Sequence, residues 1–357
     1  MHHASKSILR YPKQEGGLGF SNLNVWNRAA ICGLILKIAN KDESIWAEWT
    51  WNQHIKDRFL WSMKIPKDCS WAWRKILQTR EDAIKNTIYS IADGSNTLVW
   101  HDPWCRSGLL NSNIEARQLL DVPETATVNM LIDNGEWNSL VQDMPNCSLK
   151  LEILNTEINS YIGKDRIIWM PSPTGLFSSK SAYEALRKKK EKVTWHSLVW
   201  GKMVQPKQSF SCWQLFTGSL PTQDRLRRRR IITKSECIFC KASRENSKHL
   251  FFDCPFSKNI WASVKHAIGL RQEVMSSTCE WNYILRISRG KSDEAEIVKA
   301  MVCATVSNIW KERNWRRFRN KAADTGTICH NIINQVKQYI QIQTKLMTDK
   351  GTARTLT

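Results

Sequence analysis

Residues 236–256, ECIFCKASRENSKHLFFDCPF, bring three cysteines and a histidine into the spacing Cys237-x2-Cys240-x8-His249-x4-Cys254. No other stretch limits so sharply what the chain can fold into. A Cys-x2-Cys turn aims two thiolates at one point, and a distant His and Cys can close the tetrahedral sulfur and nitrogen shell that zinc prefers. An iron–sulfur cluster normally takes four thiolates, so His249 favours zinc, and four protein ligands leave no open position for a reacting water. The expectation is therefore one structural zinc ion in a knuckle. Three thiolates around a divalent ion leave a charge of about −1, which Lys234, Lys241, Arg244 and Lys248 stand close enough in sequence to offset. The spacing leaves a plainer alternative open: Cys237, Cys240 and Cys254 as ordinary buried thiols and His249 as a core histidine. Leu250, Phe251 and Phe252, between the last two candidate ligands, would tie a small metal unit to a larger core.

The chain has 357 residues and is 42% hydrophobic, enough for a sizeable core and more in keeping with two domains than one. Its formal charge of +20 predicts attraction to polyanions, either nucleic acid or an anionic membrane surface. Insertion into a membrane is not expected, because the longest apolar run, AAICGLILKIA at 29–39, is too short to span and carries Lys37. No secretory signal is recognisable, and eleven scattered cysteines, an odd number, fit reduced thiols. The expected location is intracellular, nuclear or cytoplasmic, with the sequon at Asn146-Cys147-Ser148 a chance match.

Residues 1–20 read as loop, since YPKQEGGLGF holds Pro12 and three glycines. From Leu23 to about Ala39, the residues Leu23, Trp26, Ala30, Leu34 and Ile38 recur at helical steps and predict one apolar face. A second helix is expected over 70–77. In TIYSIADGSNTLVWHDPW, β-branched residues flank Asp93-Gly94 as in a hairpin, and in RIIWMPSPTGLFSS the segment Pro171 to Gly175 separates two strand-like runs. Ser181 and Glu184 are spaced as a capping box opening a helix through Lys190. The polar segment 133–148 marks a domain boundary, and no solenoid repeat is present.

Taken in order, GLFSSKSAYEALR, WHSLVWGKMVQPKQSFSCWQLFTGSLPTQDRLRRRRI and ECIFCKASRENSKHLFFDCPFSKNIW resemble the zinc-binding domain downstream of the polymerase in plant LINE-type, non-LTR reverse transcriptases. The resemblance rests on Trp195, Trp200, Pro206, Lys207, Phe210, Trp213, Leu220, Pro221, Thr222, Cys237, Cys240, His249, Leu250, Cys254 and Pro255. PKQEGGLGFSNLNVWNRAA and IADGSNTLVWHDPW are similar to the post-polymerase connection of the same polyproteins. The resemblance implies zinc at the four ligands and a division into a connection region at 1–140, a zinc-binding domain at 150–265 and a basic helical linker region at 266–357. Lys241 departs from it, standing where many relatives have glycine.

Catalysis is not expected. A reverse transcriptase of this type needs two adjacent aspartates for magnesium, and the sequence has no Asp-Asp pair. A ribonuclease H domain follows in longer relatives, and the residues up to Thr357 leave no room for one. Gly163-Lys164 and Gly201-Lys202 lack the rest of a phosphate loop, and GGLGF lacks the full dinucleotide pattern. His196 with Ser197, or with Cys212, makes a poor nucleophile pair, because sequence neighbours rarely take up that geometry.

What remains is binding. Residues 180–234 hold fourteen Lys/Arg against three Asp/Glu, a local charge of +11. Arg225, Arg227, Arg228, Arg229 and Arg230 are expected on a short helix entered at Thr222, with Leu226 inward, and together with Lys207 and Lys234 would meet RNA or single-stranded DNA through phosphate. Trp195, Trp200, Trp213 and Phe239 could stack on unpaired bases, although a chain with tryptophan at 26, 46, 49, 51, 61, 71 and 73 uses indoles as core as well. The expected fold is α+β, mainly α-helical with small β-hairpins and one structural zinc knuckle. A zinc-braced nucleic-acid-binding remnant of a LINE-type polyprotein is the leading function, against a protein–protein adaptor shaped by the zinc site or an inert retroelement fragment.

Overall fold

The computed structural model describes residues 5–159, 161, 163–270 and 277–354. Helices dominate, with two small two-stranded sheets, in keeping with the expected fold class. Packing divides the chain into Asn22–Lys188 and a second unit that joins Met1–Ser21 to Lys189–Thr357. The division at 1–140, 150–265 and 266–357 that the resemblance implies follows consecutive segments of sequence, whereas these units follow contacts, so the two partitions differ. Among the described residues no helix is long and apolar enough to cross a membrane.

In the Asn22–Lys188 unit, helix α1 (Leu23–Ala39) starts where Asn22 Oδ1 accepts the Asn24 N–H at 3.2 Å. Its span matches the periodicity but its buried face does not. Ala29, Cys32, Ile35, Leu36 and Ile38 are buried, while Leu23, Trp26, Ala30 and Leu34 are exposed. The helix carries two apolar stripes, and the pattern of apolar residues alone cannot say which one the core takes. Gly33 is required by close approach: a Cβ there would lie 2.7 Å from the Phe177 ring. Helix α2 (Trp71–Gln78) is capped by Ser70, whose Oγ accepts the Trp73 N–H at 3.2 Å.

The strands correct the sequence reading. Strand β1 (Thr87–Ser90) is antiparallel to β4 (Arg166–Trp169), with Thr87 opposite Trp169, so the two segments expected to form separate hairpins pair with each other. The loop at Asp93-Gly94 closes around a side chain instead of a ladder: the Asp165 carboxylate accepts the N–H groups of Ala92 (2.7 Å), Gly94 (3.1 Å) and Asn96 (3.1 Å) and the Thr97 hydroxyl (2.8 Å). A true hairpin joins β2 (Ile132–Asp133) to β3 (Glu136–Trp137) through Asn134-Gly135, both at positive φ as a type I′ turn requires, inside the segment read as a boundary. Helix α3 (Ser179–Leu186) opens one turn before the expected box and stops before Lys190. Ser178 Oγ accepts the Ser181 N–H at 3.1 Å and Ser181 Oγ accepts the Ser178 N–H at 3.3 Å.

Asp102, half-buried here, is pushed up to about 6, mainly by desolvation, with the Leu98 N–H and Lys41 opposing the shift. Its folded pKa lies above the ordinary 3.8, so the stability linked to its protonated form is complete below about pH 4 and is lost as pH rises to about 6. Asp102→Asn is expected to be more stable than the parent at pH 7 by on the order of 1–3 kcal/mol and to match it near pH 4. Urea melts at the two pH values check this, and equal stability at pH 7 contradicts it.

In the second unit, α4 (Pro206–Phe216) is followed by the short α5 (Gln223–Arg228), whose buried residue is Gln223, and α4, α6 (Pro255–Ala267), α7 (Ser277–Ile287), α8 (Asp293–Arg319) and α9 (Thr325–Arg354) share one core. Leu198, Trp213, Phe251, Phe252, Trp261, Ile309 and Ile332 are among its members. The N-terminal segment belongs to this unit and is not all loop as expected, since it holds a one-turn helix at Lys6–Leu9, capped by Ser5, and a 3-10 turn at Lys13–Glu15. Trp213 Nε1 donates to the Gly16 carbonyl at 2.9 Å, and a Cβ on Gly17 would lie 1.9 Å from the Tyr11 carbonyl oxygen. Helix α8 is buried along most of its length, and its charges are paired inside: Lys299 reaches Glu296 at 2.6 Å.

Candidate metal centre

Three pieces of backbone bring the four sequence-derived ligands together. The turn from Cys237 to Lys241 closes with the Lys241 N–H on the Cys237 carbonyl at 2.9 Å, which sets the first two thiols side by side. His249 begins a π-helical turn, His249–Asp253, whose wider loop of i→i+5 bonding returns the Cys254 N–H to the His249 carbonyl at 2.8 Å. Cys254 is then the N-cap of α6, with Pro255 in its first turn. Leu250, Phe251 and Phe252 within this turn are buried in the core, and the Phe251 carbonyl accepts Trp261 Nε1–H at 2.7 Å. The anchoring expected of those residues is present.

The donor atoms of Cys237, Cys240, His249 and Cys254 all lie within 4.8 Å of one another. Cys237 Sγ is 3.9 Å from Cys254 Sγ, and Cys240 Sγ is 3.3 Å from His249 Nε2. A tetrahedral zinc shell built from its usual bond lengths has edges of about 3.8 Å between sulfurs and about 3.6 Å from sulfur to nitrogen. The donor set therefore fits zinc in type and in spacing. The Cys237 thiol is pushed up by its contact with Cys254 and by burial, against the N–H groups of Cys240 and Phe239. Cys254 is pushed down by the same contact and by the N–H groups of Phe256 and Ser257 at the start of α6. Backbone amides thus face two of the sulfurs and favour thiolate at both.

Glu245, in the loop between Cys240 and His249, is the residue that sequence reasoning missed. It is fully buried, and its carboxylate accepts the Gln223 N–H (3.0 Å), Gln223 Nε2–H (3.1 Å) and the guanidinium of Arg313 from α8 (2.8 Å from Nη2). Its backbone also takes part, because the Asp224 N–H donates to the Glu245 carbonyl at 3.1 Å. One carboxylate thus fastens the metal loop to the start of the arginine helix and to the longest buried helix. It is the only acidic residue between Cys237 and His249, a signal the sequence did carry.

The basic residues divide. Helix α5 begins after Thr222 as expected, and Arg227, Arg228, Arg229 and Arg230 are exposed, as are Lys207 and Lys234. Arg228 is held by Asp224 at 3.0 Å. Arg225 is half-buried and folds over Gly218, where a Cβ would meet its Nη2 at 2.4 Å. Leu226 is half-buried. Of the aromatics, Trp213 is buried and unavailable to a base, Trp195 stacks on Phe216 at 5.0 Å, Phe239 packs on Phe256 at 4.5 Å, and Lys13 sits 4.4 Å over Trp200. His196 Nδ1 donates to the Val193 carbonyl at 2.8 Å and Cys212 is buried, so neither forms a nucleophile pair.

Residues 177–261 match the family described as zinc-binding in reverse transcriptase. A putative ribonuclease H protein of Arabidopsis thaliana is 25% identical over 352 residues, covering 95% of this chain and 55% of the relative. An uncharacterized mitochondrial protein of the same plant is 25% identical over 101 residues, covering 28% of this chain and 66% of its own. The chain thus spans about half the length of the first relative and two thirds of the second. No solved structure matches it.

Proposed function

We propose that the chain is a zinc-braced nucleic-acid-binding module of a LINE-type reverse transcriptase lineage, and that it is not itself catalytic. One zinc ion would be held by Cys237, Cys240, His249 and Cys254, where it cross-links the loop and offers no open coordination position. The observation that carries the binding reading is the placement of four exposed arginines, Arg227 to Arg230, on and just after a helix tied by Glu245 to that loop. A zinc brace makes the helix a fixed presenter of charge. Phosphate contact by such side chains is non-specific and salt-dependent, so the favoured ligand is RNA or single-stranded DNA without sequence preference. The relatives' names and the match to reverse-transcriptase zinc-binding sequences support a retroelement origin.

The test is the salt dependence of affinity for a labelled unstructured RNA, comparing the parent with a variant in which Arg227, Arg228, Arg229 and Arg230 are all Gln. Glutamine keeps helix propensity close to that of arginine, so folding should survive. The log–log salt slope is expected to flatten by about two to three units, at roughly 0.7 per phosphate contact on a single strand. Unchanged affinity and slope would leave the run a solvated face and favour the adaptor.

A further inference from the structure

We propose that a cleft beside the metal loop, lined by Arg230, Lys234, Lys241 and Arg317, is a clamp for the phosphodiester backbone of a single strand, a proposal that rests on the nucleic-acid reading above. The cleft has a volume of about 570 Å³, and Cys237 lines it as well. That size falls in the range of about 300–1,000 Å³ usual for ligand sites. Its four cations come from separate parts of the unit: the residue just past α5, the irregular segment leading into the loop, the turn after the second ligand and the last turn of α8.

Two features set these cations apart from ordinary surface charge. Glu236 is the one carboxylate among the lining residues, and none of the four cations has an ion pair or side-chain hydrogen bond among the described residues. Four like charges gathered at one concavity repel each other and raise its potential, a cost that a polyanion removes. Neighbouring Arg316 contrasts with them: it is bonded to Glu312 at 2.7 Å and to the Ala323 carbonyl at 2.8 Å, with its guanidinium 4.3 Å from the Phe256 ring. It is a packing residue, and Arg317 is free.

The backbone is the second feature. Arg230 and Lys241 have φ of 57° and 56°, the left-handed region that favours glycine. Both positions end a turn, where glycine would relieve the backbone, yet each carries a long cation that lines the cleft. Strain held at a ligand site is expected to trade stability against binding. Zinc connects to the clamp because the Cys237–Lys241 turn that places two ligands also places Lys241.

Lys241→Gly and Arg317→Gln, singly and together, separate a clamp from diffuse charge. Labelled twenty-nucleotide uridine RNA and thymidine DNA are titrated at several salt concentrations, with Lys258→Gln/Lys291→Gln as a control of equal charge loss outside the cleft. The double cleft variant is expected to bind about tenfold more weakly and to lose about one to two units of salt slope on either strand, at roughly 0.7 per contact. The control should lose far less, and Lys241→Gly should melt at or above the parent temperature. Equal losses in the control and the cleft variant, or a cleft variant with the parental slope, overturn the clamp while the broader binding reading stands. A parent that binds neither strand overturns both.

Discussion

Removing zinc is expected to unfold residues 237–254 while Asn22–Lys188 stays folded. Binding energy at a structural zinc site is local folding energy, of apparent size about 10–16 kcal/mol in small zinc domains. That is comparable with the whole stability of a domain, about 5–15 kcal/mol. Apart from the ion, the loop is held to the core by the Glu245–Arg313 pair, by hydrogen bonds and by the burial of Leu250, Phe251 and Phe252. Hydrogen exchange before and after chelation under reducing conditions should show protection lost over 237–254 and at the start of α6, where Cys254 is the N-cap. Cys254→Ser should reproduce the pattern. Elemental analysis should find one zinc per chain; less than about half an equivalent with no gain on reconstitution would contradict it.

Arg313→Ala is expected to destabilise the second unit by about 3–5 kcal/mol, because it leaves the Glu245 carboxylate buried without its counter-charge. Arg313 and Glu245 are both almost wholly inaccessible, and three guanidinium hydrogen bonds join them at 2.8–3.2 Å. Exposed pairs such as Arg228–Asp224 are worth at most about 1 kcal/mol by comparison. Replacing both Glu245 and Arg313 by Met should restore only part of the loss, because Gln223 would then lose its acceptor. Since Glu245 sits in the metal loop, Arg313→Ala should also lower zinc retention in competition with a chelator. Urea melts provide the measurement, and a cost under about 1 kcal/mol would show that the pair does not hold the loop.

Local chemistry was legible in the sequence, and partnership was not. The four ligands announce themselves because their spacing is short and their geometry is set by neighbouring backbone, and the same holds for α1, α2 and the start of α5 at Thr222. Which stripe of α1 faces inward depends on what packs against it, here Phe177 over Gly33, and nothing local encodes that. The β1–β4 pairing spans more than seventy residues, so each strand read alone suggested a hairpin with its nearest turn. Asp165, which ties the loop at 92–97, looks like any surface aspartate in sequence. Arg313 is likewise indistinguishable within KERNWRRFR, although Glu245, the lone acid between Cys237 and His249, carries a signal of its own. Trp213, a possible base platform by its place among the basic residues, is buried. Its indole bond to Gly16 could not be seen from either segment by itself.

The most direct measurement of the central claim is a fluorescence-anisotropy titration of a labelled unstructured RNA with the zinc-loaded chain over a series of salt concentrations. Binding that weakens steadily with salt is expected, with a log–log slope of about −2 to −4, corresponding to roughly three to six phosphate contacts. Absence of binding at low salt, or affinity indifferent to salt, would contradict the assignment of this zinc-braced basic unit to nucleic acid.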